Sequence, residues 1–138
     1  MTVLVDTCVW SIVLRRRQPS HNAVGEELRR LIASGQASII GAVRQELLAG
    51  ISDRSIFEML RERLRAYVDI TPARQDYELA AEFFNACRQR GVQSSPTDML
   101  LCAVAARQEM SIFSTDRDFE RYSKIIQVRL HSVPKSNV

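Results

Sequence analysis

Five short apolar runs, "TVLVD" (2–6), "ASIIG" (37–41), "YVDIT" (67–71), "SIFST" (111–115) and "IIQVRL" (125–130), alternate with stretches of helical character. Runs this short and rich in β-branched residues suit strands buried on both faces rather than helices. Strands separated by helices imply βαβ units, hence a parallel sheet with helices on both sides. The expected fold is α/β, a three-layer α/β/α sandwich with a central, mainly parallel sheet of about five strands.

The intervening segments carry their own start and stop signals. "TCVWSIVLRR" (7–16) reads as a short helix, and "NAVGEELRRLIASG" (22–35) as a second one closed by Gly35. A third runs through "VRQELLAG" and stops at Gly50. Residues 53–66 place Ile56, Leu60 and Leu64 on one face, with Phe57 beside them. After Pro72 a longer helix runs to Gly91. "SSPTDMLLCAVAARQE" (94–109) starts with Pro96 in its first turn and is apolar nearly all round from Met99 to Ala106. That helix belongs at the centre of the molecule.

Composition narrows the class. With no repeat or linker, residues 1–131 read as one domain and 132–138 as a C-terminal tail. No apolar run approaches the ~20 residues of a membrane span. "MTVLVDTCVW" lacks a basic leader and is broken at Asp6, so a cytoplasmic protein with no membrane association is expected. Cys8, Cys87 and Cys102 form no C-x-x-C pair and read as small buried hydrophobes, while His21 and His131 lie far apart. Zinc is therefore disfavoured, and any metal falls to oxygen ligands, which points to magnesium or manganese. Lys124 and Lys135 are the only lysines, so the cationic residues are nearly all arginine, whose planar fork suits phosphate.

The acids are placed with more purpose. Asp6 ends the first strand, and Asp116 and Asp118 follow the strand at 111–115. Glu46 lies early in the helix after the second strand, and Asp98 in the first turn of the central helix. Ligands of open α/β sheets bind outside the carboxyl ends of the strands, where strand order reverses, and all five acids fall at that edge. Helix capping accounts for Asp6, Asp98 or Asp116 taken singly. It does not account for Glu46 inside a helix, nor for Asp118 as a second acid. Two carboxylates about 4 Å apart repel by roughly 4 kcal/mol at an effective dielectric of 20, which a divalent cation or a retained proton relieves.

"VLVDTCVW", "VRQELLAG", "SSPTDMLLCAVAARQ" and "IFSTDRDFERY" resemble, in order and spacing, the four acidic motifs of PIN-domain ribonucleases. Length and the "ELLAG" context look most like the VapC toxins of toxin–antitoxin modules. The resemblance implies a PIN-like fold and catalytic acids at Asp6, Glu46, Asp98, Asp116 and Asp118. It implies direct Mg²⁺ or Mn²⁺ ligation by Asp6, Asp98 and Asp116, with Thr7 and Ser114 in support. Ser114 stands where the family usually has threonine, a departure that keeps the hydroxyl. The implied activity is a metal-dependent endoribonuclease acting as a toxin, with a small VapB-like antitoxin, a homodimer and a toxin–antitoxin hetero-oligomer as its assemblies.

An acidic pocket needs a basic rim to hold RNA. Arg15, Arg16 and Arg17, after the first helix, and Arg44 and Arg117, each near an acid, are the candidates. The helix at 53–66 and the pair Phe83-Phe84 are candidate walls of a groove for a partner helix. Trp10, on an apolar helix face, is assigned to the core. The alternatives are a PIN-domain RNA-processing nuclease without antitoxin, and a non-catalytic RNA-binding module. A phospho-acceptor receiver wants paired acids at the first strand, and a haloacid-dehalogenase-type phosphatase wants D-x-D there; the sequence has Asp6 alone, with Cys8 at the second position.

Overall fold

The computed structural model describes residues 2–14 and 22–134. Five strands form one parallel sheet: β1 (Val3–Val5), β2 (Ala37–Ile40), β3 (Asp69–Ile70), β4 (Ser111–Phe113) and β5 (Arg129–Leu130), in the order β3-β2-β1-β4-β5. β1 is the axis. Its three residues are buried, Val3 pairs with Ala37 on one side, and Val3, Leu4 and Val5 pair with Ser111, Ile112 and Phe113 on the other.

The helices are α1 (Thr7–Leu14), α2 (Ala23–Ala33), α3 (Gly41–Leu48), α4 (Arg54–Leu64), α5 (Arg74–Gln89), α6 (Pro96–Arg107) and α7 (Asp118–Ser123). The chain builds outward from β1 through β2 to β3, then returns to the other side for β4 and β5. With right-handed crossovers this places α1–α4 on one face and α5–α7 on the other. The packing agrees: α1 lies against α2 and α3, whereas α6 lies against α5 and β4. The expected α/β/α architecture is thus observed, and strand order reverses between β1 and β4.

Local chemistry sets the boundaries. The Asn22 side chain accepts from the Gly25 amide at the start of α2, Asp53 caps α4 through the Ser55 and Ile56 amides, and Ser95 caps α6 through the Asp98 amide. Gly35 takes φ +71° just past α2, a left-handed turn that costs glycine little. Met99 to Ala105 are buried without exception, as the apolar surface of that helix required, and Trp10 is fully buried.

Two strands are shorter than their apolar runs. Only Asp69 and Ile70 of 67–71, and only Arg129 and Leu130 of 125–130, pair with a neighbour. Both are edge strands with one partner each, and Ile126 is instead buried just past α7, its amide donating to the Tyr122 carbonyl (2.9 Å). On α4 the core face is narrower than expected: Leu60 and Leu64 are buried, but Ile56 is 36% exposed. Val133, beyond β5, packs half-buried against the core.

Candidate active site

The site lies where strand order reverses, at the carboxyl ends of β1 and β4. The Asp6 amide donates to the Phe113 carbonyl (2.9 Å), extending the β1–β4 ladder one residue beyond the strands. Asp6 is 7% exposed. Its backbone carbonyl accepts from Val9 and Trp10, opening α1, while the side chain turns to the site. Oδ1 accepts from the Thr7 amide (2.8 Å), and Oδ2 from the Ser114 hydroxyl (2.9 Å) and the Cys8 thiol (3.4 Å). Burial raises the Asp6 pKa, the bonds from Ser114, Thr7 and Cys8 pull it back, and the charge of Glu46 raises it.

Asp98 sits in the first turn of α6. A capping box would turn its carboxylate back to the Ser95 amide. Instead, Oδ2 accepts from the Tyr122 hydroxyl of α7 (2.8 Å). Burial is the main cause that pushes the Asp98 pKa up to about 6; the Tyr122 bond opposes it, and the charges of Asp6 and Asp116 reinforce it. Asp98, Asp6 and Asp116 therefore share one field, although they come from α6, the end of β1 and the loop after β4.

The remaining acids are more exposed. Glu46, on α3, accepts from Thr7 Oγ1 (3.1 Å). The Asp116 amide donates to Ser114 Oγ (3.0 Å), and Asp116 Oδ1 accepts from the Asp118 amide (2.9 Å), folding the loop into the start of α7. Asp118 lies 3.8 Å from Arg121 Nη1, an exposed contact. Its charge joins those of Asp98 and Asp116 in raising the pKa of buried Tyr122, though burial is the larger cause. Asp6, Glu46, Asp98 and Asp116 make no ion pair with an arginine or lysine among the described residues.

The expected basic rim is dispersed. Arg117 is exposed at the start of α7, between Asp116 and Asp118. Arg44 turns from the acids to Asp69, its Nη2 2.6 Å from Oδ1. Arg15, Arg16 and Arg17 lie outside the described residues.

Two residues of the site escaped the sequence reading. Cys8 is half-buried and polar in its contacts: besides Asp6, it meets Ser114 Oγ and the Thr115 amide, each at 3.4 Å. Tyr122 lies four residues after Asp118 on one face of α7, a spacing visible in sequence but silent about its partner on α6.

The donor set fits a hard divalent cation. It is all oxygen, and the fold penalises the charge of Asp6 and Asp98 through burial and mutual repulsion, which a cation relieves. Among the described residues no three His, Cys, Asp or Glu side chains form a group that could hold one ion, so the acids share a field rather than a common point.

The family model for the PIN domain matches residues 3–125. The chain belongs to the PIN domain family. PIN domains are nucleases, and the acids above lie in the matched region. No curated protein matches the sequence at a significant level. Solved structures extend the comparison: this PIN domain superposes on a chain of VapBC2 from Rickettsia felis bound to a DNA fragment from their promoter with a TM-score of 0.76 and 15% identity, covering 95% of this chain and 98% of that one. FitAcB from Neisseria gonorrhoeae gives 0.74 and 18%, covering 94% and 97%. A toxin–antitoxin complex from Klebsiella pneumoniae gives 0.67 and 15%, covering 86% and 90%. At such identities the likeness establishes a shared fold. No helix of the described residues is long and apolar enough to cross a membrane.

Proposed function

We propose that this PIN domain is a Mg²⁺- or Mn²⁺-dependent endoribonuclease that serves as the toxin of a toxin–antitoxin pair. The observation that carries the reading is the shared negative field of Asp6, Asp98 and Asp116, a buried, a half-buried and an exposed carboxylate with no cationic partner among the described residues. A bare cluster of this kind in a nuclease fold suits a bound cation and a phosphodiester. Asp6, Asp98 and Asp116 would hold the cation, with Glu46 and Asp118 flanking. When bound, such an ion acidifies a water and neutralises charge developing on phosphorus oxygens.

The protein's own part is orientation. Ser114 and the Thr7 amide hold the two oxygens of Asp6 from opposite sides. Tyr122 holds Oδ2 of Asp98 and so fixes the orientation of its carboxylate. Thr7 holds Glu46, an exposed carboxylate that would orient the attacking water or a second ion. The toxin part of the reading draws on the shared fold with a toxin–antitoxin complex. It extends to a homodimer and a VapB-like antitoxin in the cytoplasm.

The test is direct. Purified protein should cut RNA with Mg²⁺ or Mn²⁺, stop with EDTA and be inactive as Asp98→Ala while that variant still unfolds cooperatively. Expression should arrest growth, and coexpression of a small adjacent reading frame should restore it. Full activity of Asp98→Ala, or of the chelated protein, would overturn the reading.

A further inference from the structure

Beyond the acidic centre, a cavity of about 410 Å³ opens between α3, α4 and β3, lined by Arg44, Leu48, Arg61, Arg65, Tyr67 and Asp69. Two of its three guanidinium groups are engaged: Arg44 donates through Nε and Nη2 to Asp69 Oδ1 (3.2 and 2.6 Å), and Arg65 pairs with Glu62 (2.7 Å). The third is not. Arg61 forms no ion pair among the described residues, and its Nε is buried with no hydrogen-bond partner. A buried donor without an acceptor is costly, and doubly so on a permanent cation. The lining offers one carboxylate, and Arg44 already holds it. With three arginines and one carboxylate, the lining carries a net positive charge.

We propose that the cavity is a phosphate subsite for RNA, in which Arg61 receives a backbone phosphate flanking the cleaved bond. The proposal rests on the ribonuclease reading above and adds a place for the substrate to be held. Geometry ties the cavity to the acidic centre through α3. Glu46 faces Thr7 at the centre, whereas Arg44, two residues earlier and roughly 200° round the helix, faces Asp69 at the cavity. The two therefore sit on opposite sides of one helix about 10 Å across. A strand lying over the acids crosses α3 and brings a neighbouring phosphate to Arg61. Tyr67 forms part of the floor and is braced by Trp10 of α1 (ring centroids 4.8 Å), the helix that carries Thr7. This continuity favours RNA over the carboxylate of a protein partner.

The experiment uses Asp98→Asn protein, which should bind without cutting, and a short fluorescent single-stranded RNA, with affinity read by anisotropy over a range of KCl concentrations. Adding Arg61→Ala or Arg61→Gln should weaken binding about 3- to 10-fold and flatten the plot of log affinity against log salt by about 0.7, the signature of one lost phosphate contact. Arg61→Gln keeps part of the stem that packs in the cavity, so a folding failure in one variant leaves the other. Arg54→Ala, which removes an exposed arginine of the same helix, should change neither quantity. If Asp98→Asn does not bind RNA, the ribonuclease reading falls and the subsite with it. If it binds, and both Arg61 variants keep its affinity and slope, the subsite alone is overturned. The same holds if they weaken only a protein complex.

Discussion

The hydroxyl of Tyr122 stands 2.8 Å from Oδ2 of Asp98 and donates to it, joining α7 to the first turn of α6 at the acidic centre. One oxygen of Asp98 is thereby committed inside the protein, which fixes the plane of its carboxylate. The orientation of this acid depends on a residue from a different motif, and the first prediction follows from that dependence.

Tyr122→Phe should keep the fold, because the ring retains its edge contact with Phe119 (5.2 Å), while RNA cleavage falls about 10- to 100-fold, the usual cost of losing a group that orients a metal ligand, the role proposed for Asp98. Single-turnover cleavage beside a thermal melt checks both halves. Wild-type cleavage by the variant would remove Tyr122 from the machinery.

The raised pKa of Asp98 makes metal-free stability pH-dependent. Between about 4 and 6 the folded protein keeps a proton that the unfolded chain has released, so stability falls as pH rises through that window and levels off above it. The full shift corresponds to at most about 3 kcal/mol. Asp6 shifts in the same direction and adds to the slope. Melts in EDTA from pH 4 upward should show the decline, and Asp98→Asn should flatten it.

Divalent cations should stabilise the protein by linkage, by about 2.7 kcal/mol at a hundredfold excess over the dissociation constant. Asp6→Asn should reduce that gain. Calorimetric titration with Mn²⁺ and the metal dependence of the melting temperature report it without RNA, and a metal-independent melt of wild type would contradict the site.

Ser114→Thr should retain cleavage, since it keeps the hydroxyl that donates to Asp6 Oδ2 (2.9 Å). Ser114→Ala should lose about tenfold or more, because a charged group then lacks a hydrogen bond worth roughly 1.5–3 kcal/mol. Equal rates for the two variants would show that the hydroxyl is not used.

A last prediction lies outside the site. Asp76 is 1% exposed, accepts from the Ala73 amide and pairs with Arg107 (both 2.7 Å), tying the start of α5 to the end of α6. Arg107→Ala strands a buried carboxylate and should cost about 2 kcal/mol, less than a fully buried pair because Arg107 itself is 38% exposed. Denaturant unfolding should show the loss, with cleavage per folded molecule unchanged.

Sequence reading succeeded where one-dimensional patterns carry the physics. The apolar surface of α6 from Met99 to Ala105 announced a central helix, and strand–helix alternation announced a parallel sheet. The ends of two of those strands were legible as well: Asp6 follows β1, and Ser114 and Asp116 follow β4. What depends on tertiary approach was not legible. Cys8 looks like a small hydrophobe until Asp6 and Ser114 are seen beside it, and Tyr122 looks like core until its hydroxyl meets Asp98. Arg44 stands two residues from Glu46 in the chain, yet the helix turns it toward Asp69. Edge strands were overestimated because apolar runs also serve to pack loops, as Ile126 does.

The placement of β4 beside β1 has a consequence for synthesis. Ser114, Asp116 and Tyr122 leave the ribosome more than a hundred residues after Asp6. A growing chain therefore has no assembled acidic centre until β4 and α7 are out and docked. The order in which the chain appears makes assembly of the acidic centre one of the last events of its synthesis and folding.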